Sequence, residues 1–356
     1  VQSVDLAASA SGPRPVVLLL PGQGSQQQGM AAGLYGWNEL FTEAMTEVFD
    51  GLGRSGPQIR HDWLSDHPRV PVSHVTRAQP LLFALDYALG RLAMSWGIPV
   101  AGVLGHSVGE LAGAVLTGVL TLTDAITVLS DRVQRLAEMP AGGMLAVAAS
   151  PAEVTRFLRA DVVVGAVNAP RQVILAGSAQ PLAETGSELV AAGFTCQEVD
   201  ATTAFHSPAV QAAVSTEAFE QVRLRPPSIP LWSGYTAAQL TAEQACTPEF
   251  WARHPVDPVL FGPALDALLG AAPGFFLLEC GPGRALSGLA RRHRAVRAGR
   301  SATAAMLPAA PRGPGADRDS VSAARDALLA EGHDCPTVGT GYLGFSPVDD
   351  VMSERA

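Results

Sequence analysis

At 356 residues, 47% hydrophobic and 16% charged, the chain is long and apolar enough for one large core or two modest ones, which excludes a disordered protein. A formal net charge of −9 excludes a general nucleic-acid binder, and all 24 basic residues are arginine. No apolar run approaches the roughly 20 residues that span a bilayer, so no membrane is expected as a partner.

The four cysteines, Cys196, Cys246, Cys280 and Cys335, form no C-x-x-C pair, and no histidine stands at ligand spacing from one. Neither a metal site nor a disulfide framework is indicated, and a reducing, cytoplasmic setting is expected. Val1 to Gly12 lacks the cationic start and sustained apolar core of a secretory signal.

Taken in order, Val1 to Arg14 reads as a loose leader, and Val16 to Leu20 as a strand buried on both faces. Pro21-Gly-Gln-Gly-Ser-Gln26 follows. Its two glycines let the chain turn tightly and bring the Gln23 amide close to a ligand, though the segment alone reads better as a plain glycine-rich turn. Ala31 to Gly51 has helical spacing, and Gly53 to Val75 reads as irregular. Leu81 to Trp96 reads as an amphipathic helix with Pro80 in its first turn.

Val100 to Leu104 is a further apolar strand, meeting Gly105-His-Ser-Val-Gly109 and then a helix from Glu110 to Val119. This is G-x-S-x-G on a strand-to-helix turn, which holds Ser107 as an exposed nucleophile above the sheet edge. The Val108 N–H, at the helix N-terminus, is aimed at an oxyanion forming beside Ser107. Thr121 caps a second helix through Glu138 that carries Arg132.

Beyond Pro140-Ala-Gly-Gly143 the pattern changes. Met144 to Ala149, Val162 to Val167, Gln172 to Ala176 and Thr195 to Val199 read as strands, with helices at Pro151 to Arg159 and Pro181 to Ala192. The order β-α-β-β-α-β is the split βαβ signature of a ferredoxin-like domain, expected over residues 141–205. Then come a helix from Ala209 to Val222, a strand from Ile229 to Ser233, and a helix ending at His254. A strand from Gly274 to Glu279, an arginine-rich helix, a Pro/Gly linker from Ala309 to Ala316 and a last helix from Ser320 to Glu331 complete the chain.

A nucleophilic serine needs a base. Among the eight histidines His206 is the best placed, beside Ser207-Pro208 where the chain leaves the insertion; the residues alone leave a purely structural histidine open. His106 adjoins Ser107, but one position away on a sharp turn it points elsewhere. No acid stands at a motif position, which leaves a Ser-His dyad whose imidazole a backbone carbonyl could orient.

Pro21-Gly-Gln-Gly-Ser-Gln26, Gln79-Pro80, Gly105-His-Ser-Val-Gly-Glu110, Arg132, Asn168-Ala-Pro-Arg-Gln172, Ala204-Phe-His-Ser-Pro208, Asp257-Pro-Val259 and Glu279-Cys-Gly-Pro-Gly283 occur in one order over residues 16–308. In this the chain resembles the malonyl-CoA:acyl carrier protein transacylase family, and within it the acyltransferases of modular polyketide synthases. The resemblance implies that Ser107 is acylated, that His206 is its base and later acid, and that Gln23 and the Val108 N–H form the oxyanion hole. It also implies that a main-chain carbonyl near His254 steers the His206 ring and that Arg132 grips a malonyl-type carboxylate. A guanidinium suits that task because it forks two parallel N–H bonds onto one carboxylate; without the resemblance Arg132 reads better as a solvated helix residue. Gln79, Asn168, Thr203 and Phe205 are the expected substrate-pocket residues.

The implied fold class is α/β: a large α/β-hydrolase-like, patatin-like domain with a parallel sheet over residues 14–140 and 206–310, the inserted ferredoxin-like domain, and a linker, helix and tail over residues 311–356. No bound cofactor is implied; a coenzyme A thioester is the substrate and the partner acyl carrier protein brings its own phosphopantetheine. Ala204-Phe205-His206 resembles the malonyl-type pattern, while Thr203 departs from the usual histidine and Val133 from the usual glycine, leaving room for a larger acyl group handed between carriers. Arg284, Arg291, Arg292 and Arg294 could dock an acidic carrier, or be a solvated helix face. A monomer is expected, and a discrete, trans-acting enzyme. The rivals are a serine hydrolase using the same elbow and a non-catalytic acyl-binding subunit.

Overall fold

The structure is a computed structural model that describes residues 12–336. Its strands are Val16–Leu20 (β1), Val100–Gly105 (β2), Gly142–Val147 (β3), Val163–Ala169 (β4), Gln172–Ser178 (β5), Cys196–Val199 (β6), Leu231–Ser233 (β7), Ala238–Gln239 (β8), Phe276–Glu279 (β9) and Ala302–Ala305 (β10). They form a mixed, mainly parallel sheet in the order β10-β9-β1-β2-β7-β8, in which only β8 runs antiparallel to its neighbour, and a second sheet in the order β4-β5-β3-β6. β1 and β9 are buried at every position, as continuous apolar runs in the middle of a parallel sheet must be. In such a sheet the carboxyl ends of the strands gather the loops that can build a site. Here those ends carry Pro21 after β1, His106-Ser107 after β2 and Cys280 after β9.

Helices Glu39–Gly51 (α1), Gly56–Leu64 (α2), Val75–Ser95 (α3), Val108–Leu116 (α4) and Leu122–Ala137 (α5) build the large layer before the second sheet. Asn38 caps α1 through Phe41 N, and Thr121 caps α5 through Asp124 N. α3 departs from expectation twice. It is buried on almost every side rather than amphipathic, and it begins at Val75, which puts Pro80 inside the helix. The Thr76 carbonyl, which would accept from an N–H at position 80, instead accepts from Arg77 Nη1 at 3.3 Å, so the proline leaves no orphan acceptor. His74 starts the helix six residues earlier than the proline suggests, its Nδ1 accepting from Thr76 N.

Other expectations are corrected. The stretch read as irregular contains α2, which buries Ile59 and Trp63. The helix expected from Ala209 to Val222 is two short turns, Pro208–Ala213 and Glu217–Glu220, because Val210 already leaves helical geometry. The helix Phe261–Gly270 and strands β8 and β10 have no counterpart among the expected elements; β10 is made of small residues with weak strand preference. The expected Pro/Gly linker is cut short by the helix Pro314–Glu331, with proline at its first position and Asp317 Oδ2 accepting from Gly33 N (3.0 Å). The leader is held at its end, where Arg14 pairs with Glu331. The leader before Gly12 and the tail after Pro336 lie outside the described residues.

The second sheet is antiparallel throughout and carries two helices on one face: Pro151–Val154 (α6), opened by a Ser150–Glu153 capping box, and Ala179–Ala191 (α7). Leu145, Val147, Val173, Leu175 and Leu189 form its own small core. Its opposite face, through Met144, Ile174 and Ala176, joins Leu104, Phe205, Phe261 and Leu265 in a shared core. Backbone bonds from Val167 N to Val259 O and from Val259 N to Gly165 O tie the two layers together. Among the described residues no helix is long and apolar enough to cross a membrane, and all four cysteines are free.

Candidate active site

β2 ends at Gly105 and α4 begins at Val108, leaving Ser107 on the turn with φ 54° and ψ −118°. The glycines at this turn are dictated by space. A Cβ at Gly105 would lie 2.3 Å from Glu110 N, one at Gly109 2.2 Å from Leu20 O, and one at Gly22 2.5 Å from His106 O. Only hydrogen at these positions lets β1, β2 and α4 crowd together enough to lift the serine above the sheet.

Ser107 Oγ lies 2.9 Å from His206 Nε2. The other ring nitrogen, Nδ1, lies 2.9 Å from the Asp257 carbonyl, which can only accept, so Nδ1 carries the proton and Nε2 accepts from the serine hydroxyl. A carbonyl near His254 is the expected partner: the closest one is that of Asp257, three residues further on, the His254 backbone also favours the charged ring, and the Pro255 carbonyl between them accepts from His206 N (2.6 Å). Burial, reinforced by His106, lowers the His206 pKa to about 3, so the resting ring is neutral and ready to take a proton.

Gly109 N and Glu110 N bond to the His106 and Ser107 carbonyls, while Val108 N donates to no protein group among the described residues. The same holds for Gln23 N, on the loop whose Gly22 packs against Ser107. The Gln23 side chain is not the free group expected. Its Nε2 donates to Ser73 O (3.2 Å), and its Oε1 accepts from Gln79 Nε2 (2.8 Å). What Gln23 has free is its backbone N–H.

Arg132, on α5, is 7% exposed, donates from Nη2 to Trp251 O (2.9 Å), and makes no salt bridge among the described residues. Burial lowers its pKa, but a guanidinium remains charged. Ser107, Gln79, Arg132, Phe205, Tyr235 and His254 line one narrow cavity. Burial holds His254 well below the ordinary histidine range, which leaves Arg132 the fixed positive charge there.

Two expected pocket residues lie elsewhere. Asn168 Oδ1 sits 2.9 Å from His106 Nε2, and both line a separate cleft between the two sheets with Gly22, Gln23, Arg284 and Arg292. Thr203 is buried, its carbonyl accepting from Phe205 N (2.9 Å), and does not line the Ser107 cavity. Arg291 and Arg294 are exposed and line neither space. Sequence reasoning missed Tyr235 and the buried Glu110 carboxyl, whose Oε2 accepts from Gly234 N (3.0 Å). Glu110 was visible in the quoted motif; Tyr235 carried no signal.

A family model described as an acyl transferase domain matches residues 17–280. The chain belongs to the acyl transferase domain family. It is 35% identical over 291 residues to a component of the phenolphthiocerol/phthiocerol polyketide synthase of Mycobacterium tuberculosis, covering 81% of this chain and 20% of that protein. It is 33% identical over 369 residues to polyketide synthase GfsA of Streptomyces halstedii, covering 98% of this chain and 5% of that one. The chain thus spans a fifth or less of the length of these curated relatives.

Among solved structures, the acyl transferase domain of SpnD in complex with 2-(pent-4-yn-1-yl)malonyl superposes with a TM-score of 0.82 at 27% identity, over 90% of this chain and 78% of that one. The malonyl-CoA:acyl carrier protein transacylase FabD of Xanthomonas oryzae pv. oryzae gives 0.76 at 25% identity, over 89% and 99%. The α/β class expected from the sequence therefore holds, and so does the assignment as an acyltransferase.

Proposed function

We propose that this acyl transferase domain moves a malonyl group from coenzyme A to the phosphopantetheine thiol of an acyl carrier protein, in polyketide assembly, through an ester on Ser107. The observation that carries the reading is Arg132: a buried guanidinium without a carboxylate of its own, in the same cavity as a serine–histidine pair. A charge left unpaired there is costly unless a ligand supplies the anion. The free carboxylate of malonyl, two carbons from its thioester carbonyl, is such an anion.

The chemistry follows from the geometry. Ser107 Oγ attacks the thioester carbonyl while Nε2 of His206 takes its proton, and the Asp257 carbonyl steadies the imidazolium through Nδ1–H. The tetrahedral oxyanion is met by the Val108 and Gln23 N–H groups. Collapse breaks the C–S bond, and His206 returns the proton to the departing coenzyme A thiolate. The carrier's phosphopantetheine thiol then attacks the acyl-serine with His206 again as base, regenerating Ser107. Phe205 supports malonyl over α-branched groups, because its buried ring occupies the cavity wall beside the serine.

The order 2-3-1-4 for the four strands of the second sheet supports reading residues 141–205 as a ferredoxin-like insertion. It is set into a patatin-like α/β domain of residues 14–140 and 206–310, with the cleft between them as the thioester's approach. Arg284 and Arg292 at that cleft give an acidic carrier or the coenzyme A phosphates a place to land.

The test is transfer itself, with malonyl-CoA and a phosphopantetheinylated acyl carrier protein. Malonylated carrier with parallel double-reciprocal plots, the signature of an acyl-enzyme, is expected. Release of free malonate with no carrier product would make the protein a thioesterase instead.

A further inference from the structure

Tyr235 stands just beyond β7 and is held on every side. Its N–H donates to Ser233 Oγ (3.0 Å), and the preceding Gly234 N–H donates to Glu110 on α4. Its ring lies face to face with His254, 3.8 Å between centroids at 15°, and Phe250 closes against it edge-on at 88°. The His206 ring is 6.2 Å away. A phenol so wedged cannot swing to find a partner. Yet its hydroxyl is buried and makes no close hydrogen bond among the described residues, its nearest polar neighbour being the Ser107 hydroxyl, and it lines the cavity shared by Ser107 and Arg132.

A buried hydroxyl left unmatched is a cost that folding normally avoids. Burial, with Glu110 nearby and only partly offset by Arg132 and Ser107, raises its pKa, so the phenol stays protonated and can donate to an anion. Arg132 meanwhile spends one N–H on the Trp251 carbonyl, so its fork is not wholly free. A carboxylate offers about four lone-pair sites, and one partly committed guanidinium leaves some of them open.

We infer that Tyr235 is a specificity-determining residue whose hydroxyl donates a hydrogen bond to the free carboxylate of the acyl group that Arg132 holds. It selects acyl groups that carry a carboxylate over plain acyl groups of similar size. The inference rests on the reading of Ser107 as the acylated residue. His254, stacked beneath the ring, is the positioning residue that keeps the hydroxyl aimed.

Tyr235→Phe removes only the hydroxyl and keeps the stack. The measurement is the initial rate of acyl-Ser107 formation, followed by intact-protein mass, at subsaturating malonyl-CoA and, separately, acetyl-CoA. A charge-assisted hydrogen bond lost from the malonyl carboxylate lowers the malonyl rate by about tenfold or more while the acetyl rate changes less than about twofold. With the variant shown to be folded by near-ultraviolet circular dichroism, an equal fall in both rates overturns the inference, as does no fall in either. If the wild-type protein forms no malonyl-serine at all, the underlying reading fails and this inference fails with it.

Discussion

Ser107 Oγ and His206 Nε2 meet at 2.9 Å from opposite ends of the second sheet's sequence, and both residues hold positive φ, 54° and 60°. Neither is glycine, so each sits in a sparsely populated backbone region at a cost of about 1–3 kcal/mol. The surrounding bonds fix both: His106 N to Leu20 O (2.8 Å) beside the serine, His206 N to Pro255 O (2.6 Å) at the base. The strain is local, and what it achieves is a nucleophile and base already in contact before substrate arrives.

The buried base sets the pH dependence of acylation. An ordinary histidine, near 6.5, would be half protonated at that pH, which halves the base available. With its pKa lowered to about 3 by burial, His206 stays neutral through the acid range. Acylation by malonyl-CoA at pH 6 should therefore retain most of the rate seen at about pH 7.5, measured by quench and intact mass on protein shown to be folded by near-ultraviolet circular dichroism. A rate that halves near pH 6.5 would mean that the resting ring is solvated.

Gly109→Ala should be among the most damaging small substitutions in the chain. The added methyl would lie 2.2 Å from the Leu20 carbonyl, which is backbone of the central strand and cannot yield. A loss of about 2–4 kcal/mol in urea unfolding is expected, with activity falling even in the folded fraction because α4 must shift under Ser107. An unchanged unfolding midpoint would show that β1 and α4 can separate freely.

Glu110 links the site to stability. Burial pushes its pKa up to about 8, against hydrogen bonds from Ser233 and Gly234 that favour the charged form. A raised carboxyl stabilises the fold fully below its unfolded value, near 4.5, and loses that contribution as pH rises through 8. Unfolded histidines titrate near 6.5 and add a slope of the opposite sign, but they do so equally in wild type and variant, so the difference between the two isolates Glu110. Between pH 6.5 and 7.5 the stability of the wild type should fall relative to that of Glu110→Gln, by up to about 1.4 kcal/mol per pH unit. Identical slopes in the two proteins would mean that Glu110 is ionised in the fold.

Much of this is legible in the chain, for reasons that differ by element. Ser107, with a strand before it and a helix after it, reads directly because local geometry forces glycine at 105 and 109. The second sheet reads from hydrophobic spacing alone, since each strand is short and bounded by turns. α3 is harder to read because burial on all sides erases the amphipathic stripe, and because the Arg77 bond that lets Pro80 sit inside a helix has no sequence signature. The base's closest partner is the Asp257 carbonyl, three residues beyond the expected His254, since any carbonyl in this turn satisfies the same pattern. Asn168 and Gln23 are polar residues at motif positions whose side chains spend themselves on protein groups, a choice only tertiary contacts decide. Tyr235 is invisible in the sequence, because its environment comes from Glu110, Phe250 and His254, all distant along the chain.

The most direct measurement is intact-protein mass after brief incubation with malonyl-CoA or acetyl-CoA, comparing wild type with Ser107→Ala and Arg132→Ala. A malonyl adduct on the wild type, absent in Ser107→Ala and reduced at least about tenfold in Arg132→Ala while the acetyl adduct persists there, is the predicted result. A malonyl adduct that survives in Ser107→Ala, or one that Arg132→Ala leaves undiminished, would contradict the assignment of nucleophile or of carboxylate grip.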